Sequence, residues 1–172
     1  NIMIILSLGS NLKSKYGNRF DNIHMGLALL KINKIFISKI SSFYETPSYP
    51  NKKKPRYINM VISAKTNLSP KKLMFKIFSI EKNLGRFRKK KNEPRIIDID
   101  IIDYNSKIFN FTDKDLKLKI PHIDVSKRNF VLYPLKEIIP KWKHPKNNEI
   151  ITNLINKLSD IDRKSILKIK KN

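Results

Sequence analysis

Ile96-Ile97-Asp98-Ile99-Asp100-Ile101-Ile102-Asp103-Tyr104 reads as a strand, and as the fourth strand of the core it completes the pattern that decides the fold. Side chains on a strand alternate between its two faces, so Ile97, Ile99 and Ile101 point into a core. Asp98 and Asp100 share the other face, roughly 7 Å apart at their Cα atoms. Upstream lies a basic loop, Arg86 to Arg95, and before it a well-punctuated helix. Ser69 caps that helix, Pro70 takes its first position, Leu73, Ile77, Ile80 and Leu84 form its apolar stripe, and Gly85 closes it in the left-handed conformation. Farther back, Tyr57 to Lys65 is the third strand, with Ile58, Met60, Ile62 and Ala64 on one face and Tyr57 and Asn59 on the other. Phe36 to Tyr44 is the second strand, and Thr46 to Pro55, with its prolines and lysines, is a long mobile loop. Arg19 to Ile32 is a helix with Phe20, Ile23, Leu27 and Leu30 on one stripe, and Ile2 to Leu8 is the first strand, ended by the turn Gly9-Ser10-Asn11.

The order β-α-β-β-α-β predicts an α+β, ferredoxin-like core with a mostly antiparallel sheet and its helices on one face. After Asn105 the chain continues as a C-terminal extension of the same domain. Short strands are expected at Lys107 to Phe111 and Leu116 to Ile120, and short helices around Lys127 to Ile139 and Glu149 to Leu158. The organisation read here is a single domain over 1–172: a core over about 2–104, an extension over about 105–160, and a frayed basic tail from Arg163 to Asn172.

The 172 residues suffice for one hydrophobic core, and 40% hydrophobic with 30% charged residues is a globular composition. No apolar run approaches the length needed to span a bilayer, no secretion signal is legible, and the absence of cysteine excludes disulfides and thiolate chemistry. Together these predict a cytoplasmic protein with no membrane partner. No exposed apolar stripe asks for a partner subunit, so a monomer is expected. The start at Asn1 and the end soon after the last motif predict a free-standing enzyme without its initiator Met. The formal charge of +23 would suit a polyanionic partner. The basic residues, however, are overwhelmingly lysine in a chain crowded with Ile and Asn, which fits a coding bias towards AT-rich codons. The few arginines, Arg19, Arg56, Arg86, Arg88, Arg95, Arg128 and Arg163, draw attention for being scarce.

Four features carry chemistry. Asp98 and Asp100 repel one another and need cations; two Mg²⁺ ions about 3.5–4 Å apart, shared with phosphate oxygens, would supply them. A bare D-x-D is more often a solvated strand face, but here acids are rare and follow directly on Arg86, Arg88, Lys91 and Arg95. Basic groups and metal ions converging on one place point to phosphoryl chemistry. Tyr57 beside Asn59 offers a ring to stack on a flat heterocycle and an amide to read its edge. Pro121-His122, followed by Arg128 and Phe130, adds three functional side chains within nine residues.

With Leu8-Gly9-Ser10-Asn11, Ser42-Phe43-Tyr44-Glu45-Thr46-Pro47, Tyr57-Ile58-Asn59, Glu81 to Arg88, Pro94-Arg95-Ile96-Ile97-Asp98-Ile99-Asp100-Ile101, and Pro121-His122 through Pro134 in this order, the sequence resembles the 6-hydroxymethyl-7,8-dihydropterin pyrophosphokinases over about residues 2–145. The resemblance implies transfer of pyrophosphate from ATP to the hydroxymethyl group of a reduced pterin, releasing AMP, in folate biosynthesis. It implies a pterin pocket of Thr46, Pro47, Tyr49, Tyr57, Asn59 and Phe130, with the ring between Tyr57 or Tyr49 and Phe130. Asp98 and Asp100 would hold two Mg²⁺ ions. Arg86, Arg88, Lys91, Arg95, Ile101, Lys117, Lys119, His122 and Arg128 would bind ATP, with Glu81 behind them. Arg86, Arg95, Asp98 and Asp100 would be catalytic. The loops Thr46 to Pro55 and Arg86 to Arg95 resemble the family's lids. Lys91, Asn92 and Glu93 depart from the family's pattern in the second of these, which also runs one residue short.

Other readings share some of these features. An RNA recognition module has the same element order, but it carries adjacent aromatics where this fourth strand exposes two acids, so no specific nucleic acid is expected. Another D-x-D transferase would use the same metal pair and release a different product. A ferredoxin-like scaffold without activity would have no need of the intact acids.

Overall fold

A computed structural model describes residues 1–85 and 93–170. The chain runs β1 (Ile2–Ser10), α1 (Arg19–Ile32), β2 (Phe36–Ile40), β3 (Tyr44–Thr46), β4 (Tyr57–Thr66), α2 (Pro70–Asn83) and β5 (Asp98–Tyr104). There follow β6 (Phe109–Asp113), β7 (Leu116–Ile120), a 3-10 turn (Val125–Lys127), α3 (Asn129–Ile138), α4 (Ile151–Asn156), α5 (Asp160–Ser165) and β8 (Leu167–Lys168).

In the main sheet the strands lie in the order β5-β1-β4-β3-β8, with β2 also paired to β4, and every pairing is antiparallel. This is the expected ferredoxin-like order. Ile4, Leu6 and Leu8 of β1, Ile58, Met60 and Ile62 of β4, and Ile97, Ile99 and Ile101 make the core with α1 and α2. The helix punctuation also holds: Ser69 accepts the N–H of Lys72, Pro70 opens α2, and Gly85 closes it at φ +94°. An unanticipated capping box, Asn18 with Asp21, starts α1.

The second strand departs from expectation. The sequence predicts one continuous strand from Phe36 to Tyr44, yet β2 and β3 are separated at Ser41-Ser42-Phe43. Ser41 donates its N–H to the Val61 carbonyl, and its hydroxyl accepts the Val61 N–H. A side chain thus stands in for the backbone, and β4 stays intact while its partner breaks.

The extension does more than lengthen the domain. Its helices α3 and α4 pack Val131, Leu132, Leu135, Ile151 and Leu154 onto Ile5, Val61 and Ile102, which lie on the sheet face opposite α1 and α2. The expected one-sided helix layer therefore gains a partial second layer. The β6–β7 hairpin forms a separate two-stranded sheet, and its Phe109, Phe111, Leu116 and Leu118 lean on the α1–α2 side of the core.

The basic tail is not frayed over its described length. Arg163 lies in α5, β8 pairs with Tyr44 and Glu45, and Ile169 donates to the Phe43 carbonyl. The edge of β3 presents unpaired backbone groups, and the tail satisfies them. No helix among the described residues is long and apolar enough to cross a membrane.

Candidate active site

Only part of the second sheet face lies under α3 and α4, and the remainder carries polar side chains. The strand register sets them in rows. Tyr44 stands opposite Asn59, Asn59 opposite Gly9, and Gly9 opposite Asp98; one row along, Ser7 stands opposite Asp100. With neighbouring strands about 4.8 Å apart, Asn59 and Asp98 flank a gap of about 10 Å floored by Gly9. A Cβ at residue 9 would come within 3.4 Å of the Asn59 Oδ1 and 3.6 Å of the Tyr57 ring. Glycine keeps this floor flat, and the amide and the carboxylate stand at its two sides.

Asn59 is fixed in orientation. Its Nδ2 donates to the Tyr44 carbonyl at 3.2 Å and to the Thr46 Oγ1 at 2.9 Å, so Oδ1 is the edge it offers a ligand. Across the floor, Arg95 pairs with Asp98 at 2.5 Å and Arg128 with Asp100 at 3.3 Å. Burial would lower the Arg95 pKa, but Asp98, then Tyr57 and Asp100, outweigh it and hold the guanidinium above its ordinary value. The Arg128 guanidinium also lies 5.4 Å from the centroid of the Phe130 ring. His122 stands among these charges. Burial, helped by the Arg128 charge, pushes its pKa down against the fields of Asp100, Asp124 and Asp98, and its Nδ1 accepts the Asp124 N–H at 3.1 Å. The neutral ring therefore carries its proton on Nε2.

Two buried residues support this face from behind. Glu81, 2% exposed, accepts the N–H of Ile99, the residue between the two acids, at 3.1 Å. Asn11, 3% exposed, grips both backbone groups of Arg95: its Oδ1 accepts the Arg95 N–H at 2.6 Å, and its own N–H donates to the Arg95 carbonyl at 3.0 Å. The Asn11 Nδ2 donates to Ser48 Oγ and to the Pro55 carbonyl, which closes the base of the loop that runs from Thr46 to Pro55.

The structure thus gathers Thr46, Tyr57, Asn59, Arg95, Asp98, Asp100, His122, Arg128 and Phe130 around one end of the sheet, with Glu81 behind. Pro47 follows Thr46 at the end of β3. Other expected residues stand elsewhere. Tyr49 is 86% exposed, which leaves Tyr57 as the ring nearer the floor. The side chain of Ile101 belongs to the α1–α2 core, on the face opposite the two acids. Lys117 and Lys119 occupy the exposed positions of β7, and among the described residues no ion pair joins them to Asp98 or Asp100. Arg86, Arg88, Lys91 and Asn92 lie outside the described residues. No local pattern marks Asn11 or Glu137 for a role: Asn11 acts on Arg95, and Glu137 on Ser42 and Tyr44, which only folding brings near.

Residues 5–140 match the family described as 7,8-dihydro-6-hydroxymethylpterin-pyrophosphokinase. The chain is similar to the 2-amino-4-hydroxy-6-hydroxymethyldihydropteridine pyrophosphokinase of Aquifex aeolicus, with 37% identity over 83% of each chain. It is equally similar, 37% identical over 97% of its length, to the folic acid synthesis protein fol1 of Pneumocystis carinii, of which it spans 22%. In fold it resembles the wild-type HPPK-DHPS of Plasmodium falciparum, with a TM-score of 0.72 at 18% identity over 91% of this chain and 41% of that one.

Proposed function

The chain belongs to the 7,8-dihydro-6-hydroxymethylpterin-pyrophosphokinase family, and from that premise we propose that its polar sheet end transfers pyrophosphate from ATP to the hydroxymethyl group of a reduced pterin. The observation that carries this reading is the row Asn59–Gly9–Asp98, which sets a ring-reading amide and a carboxylate on either side of a flat floor. The pterin lies over Gly9 between Tyr57 and Phe130, with its polar edge on Asn59 Oδ1 and its hydroxymethyl group towards the acids. The triphosphate lies against Arg95 and Arg128, whose present carboxylate partners it replaces through charge-assisted hydrogen bonds.

Asp98 and Asp100 suit Mg²⁺. The donor set is two carboxylates on one side of a strand, with oxygen as the only ligand atom. Mg²⁺ takes one or two carboxylates, completes its shell with phosphate oxygens and water, and when bound neutralises the phosphates and aligns them. The chain's own residues do the rest. Tyr57, Asn59 and Phe130 hold the pterin hydroxyl in line with the β-phosphorus. The new O–P bond forms as the bond to the α-phosphate's bridging oxygen breaks, AMP leaves with that oxygen, and Asp100 accepts the hydroxyl proton. Arg95 and Arg128 balance the charge that moves to the leaving group. Positioning and charge neutralisation are the main demands of such a loose transition state.

The test is product identity. With Mg²⁺, ATP and 6-hydroxymethyl-7,8-dihydropterin, the protein is expected to form AMP in step with pterin consumption. Asp98→Ala is expected to lower the rate by about a hundred- to a thousandfold, the scale of losing a main electrostatic group. ADP as the product, or pterin-independent nucleotide cleavage, would overturn the reading.

A further inference from the structure

A carboxylate far from the two acids collects an unusual number of donors. Glu137, in the last turns of α3, accepts the Ser42 N–H on both oxygens at 3.0 Å, the Ser42 hydroxyl at 2.6 Å and the Tyr44 hydroxyl at 2.8 Å. Lys168 of β8 brings its ammonium to 3.7 Å. Burial would raise the Glu137 pKa, but the bonds from Ser42 and Tyr44 and the charge of Lys168 together hold it below the ordinary carboxyl value. Burial, aided by the bond to Glu137, pushes the Tyr44 hydroxyl up, so it stays a donor.

The donors matter because of where they sit. Ser42 lies in the middle of the break between β2 and β3, and Tyr44 opens β3. The Tyr44 carbonyl and the Thr46 hydroxyl are the two acceptors that orient the Asn59 amide. At the other end of α3, Phe130 precedes Glu137 by seven residues, two turns or about 10 Å along the axis. Pro134 has no N–H to give the Phe130 carbonyl, so the turn that carries this ring lacks one of its own helical bonds. The Val131 and Leu132 N–H groups still bond the Arg128 carbonyl, so the ring moves with α3, and what anchors α3 to the sheet sets where the ring stands.

We propose that Glu137 is a positioning residue for the pterin pocket, holding the wall that reads the pterin edge at a fixed distance from the ring that stacks on it. The proposal rests on the pocket assigned above. β8 belongs to the same device: it pairs with Tyr44 and Glu45 and sends Lys168 to the same carboxylate, so the C-terminal strand braces the pocket wall.

Steady-state kinetics on the full chain test this, with Phe130→Ala beside Glu137→Ala and Glu137→Gln. Glu137→Ala is expected to raise the KM for pterin about tenfold while kcat and the KM for ATP stay within about twofold, a split that general loosening of the fold would not produce. Glu137→Gln keeps a carbonyl for Ser42 and is expected to recover most of the pterin KM. Should Glu137→Ala fold poorly, Tyr44→Phe removes a single donor and is expected to raise the pterin KM about threefold. A pterin KM unchanged in the Glu137 variants but raised in Phe130→Ala would overturn the positioning role and leave the pocket standing. Equal rises in the KM for both substrates would reduce Glu137 to a structural staple. A pterin KM unchanged in Phe130→Ala as well would remove the pocket and this inference with it.

Discussion

Asn11 is a small side chain with large leverage. Through one amide and one backbone N–H it joins the end of β1, the base of the loop over residues 47–56 and the backbone of Arg95, which in turn holds Asp98. Replacing it with an apolar residue of similar size strands the half-buried Arg95 N–H, which costs about 1–3 kcal/mol, while the Pro55 carbonyl keeps the Ser48 hydroxyl as a donor. Asn11→Leu is therefore expected to lower the melting temperature by about 2–12 °C, at about 2–4 °C per kcal/mol for a chain of this size. It is also expected to raise the KM for ATP more than the KM for pterin, because it frees Arg95 and leaves Asn59 held by Tyr44 and Thr46. Thermal denaturation followed by steady-state kinetics checks both halves. Equal KM values in variant and parent would show that Arg95 holds its place without Asn11.

Elements here are held by a few positions each. Gly85 ends α2 at φ +94°, a conformation costly to any residue with a Cβ, and that Cβ would lie 3.2 Å from Ile96. Gly85→Ala is expected to destabilise by about 1–2 kcal/mol, a fall of about 2–8 °C in melting temperature, read by calorimetry. Gly26 works by proximity instead: a Cβ there would meet Ile97 at 2.6 Å, so glycine lets α1 settle directly on the strand leading to the acids. The break between β2 and β3 has an element-level meaning too. It turns Ser42 outward to Glu137 while Tyr44 resumes pairing with Asn59, and so converts an interrupted strand into a junction with α3.

The whole molecule is a sheet with a complete helical layer on one side and a partial one on the other, and the site occupies what the partial layer leaves uncovered. The seam of that second layer includes a buried polar cluster. The Trp142 indole donates to Asp103 at 2.8 Å, and His144 packs edge-on against Trp142 at 5.8 Å. Burial lowers the His144 pKa below 6.5, against Asp103 and Glu149, which raise it, and with Lys146, which lowers it. The unfolded chain then takes up this proton at a higher pH than the folded one. The contribution of His144 to stability is whole above pH 6.5 and is lost as pH falls through its lowered folded-state value. Asp103 works the other way: burial raises its pKa above 3.8, so its effect changes at lower pH. Denaturant unfolding at pH 7.5 and 5.5 is expected to show a loss of stability that shrinks in His144→Asn. An equal loss in that variant would assign the pH dependence to other groups.

The sequence by itself determined what depends on short spacing. Ile-Asp alternation placed Asp98 and Asp100 on one face with isoleucines behind them, and Ser69, Pro70 and Gly85 bounded α2, because period-two patterning and helix capping act within a few residues. The order of those elements led to the antiparallel sheet, and the pairing of Tyr57 with Asn59 on one strand face marked one wall of the site. Only the tertiary structure decided how Gly9 comes to floor the gap between Asn59 and Asp98, since that row joins three strands drawn from distant parts of the chain. It alone left Tyr49 in solvent, laid α3 and α4 on the second face, and docked a tail that composition marked as loose. Glu137 meets its donors across 93 and 95 residues, and Asn11 meets Arg95 across 84. No periodicity reaches so far: these contacts exist because burying two apolar faces of one sheet brings the residues together, and each polar group then bonds to what it finds there.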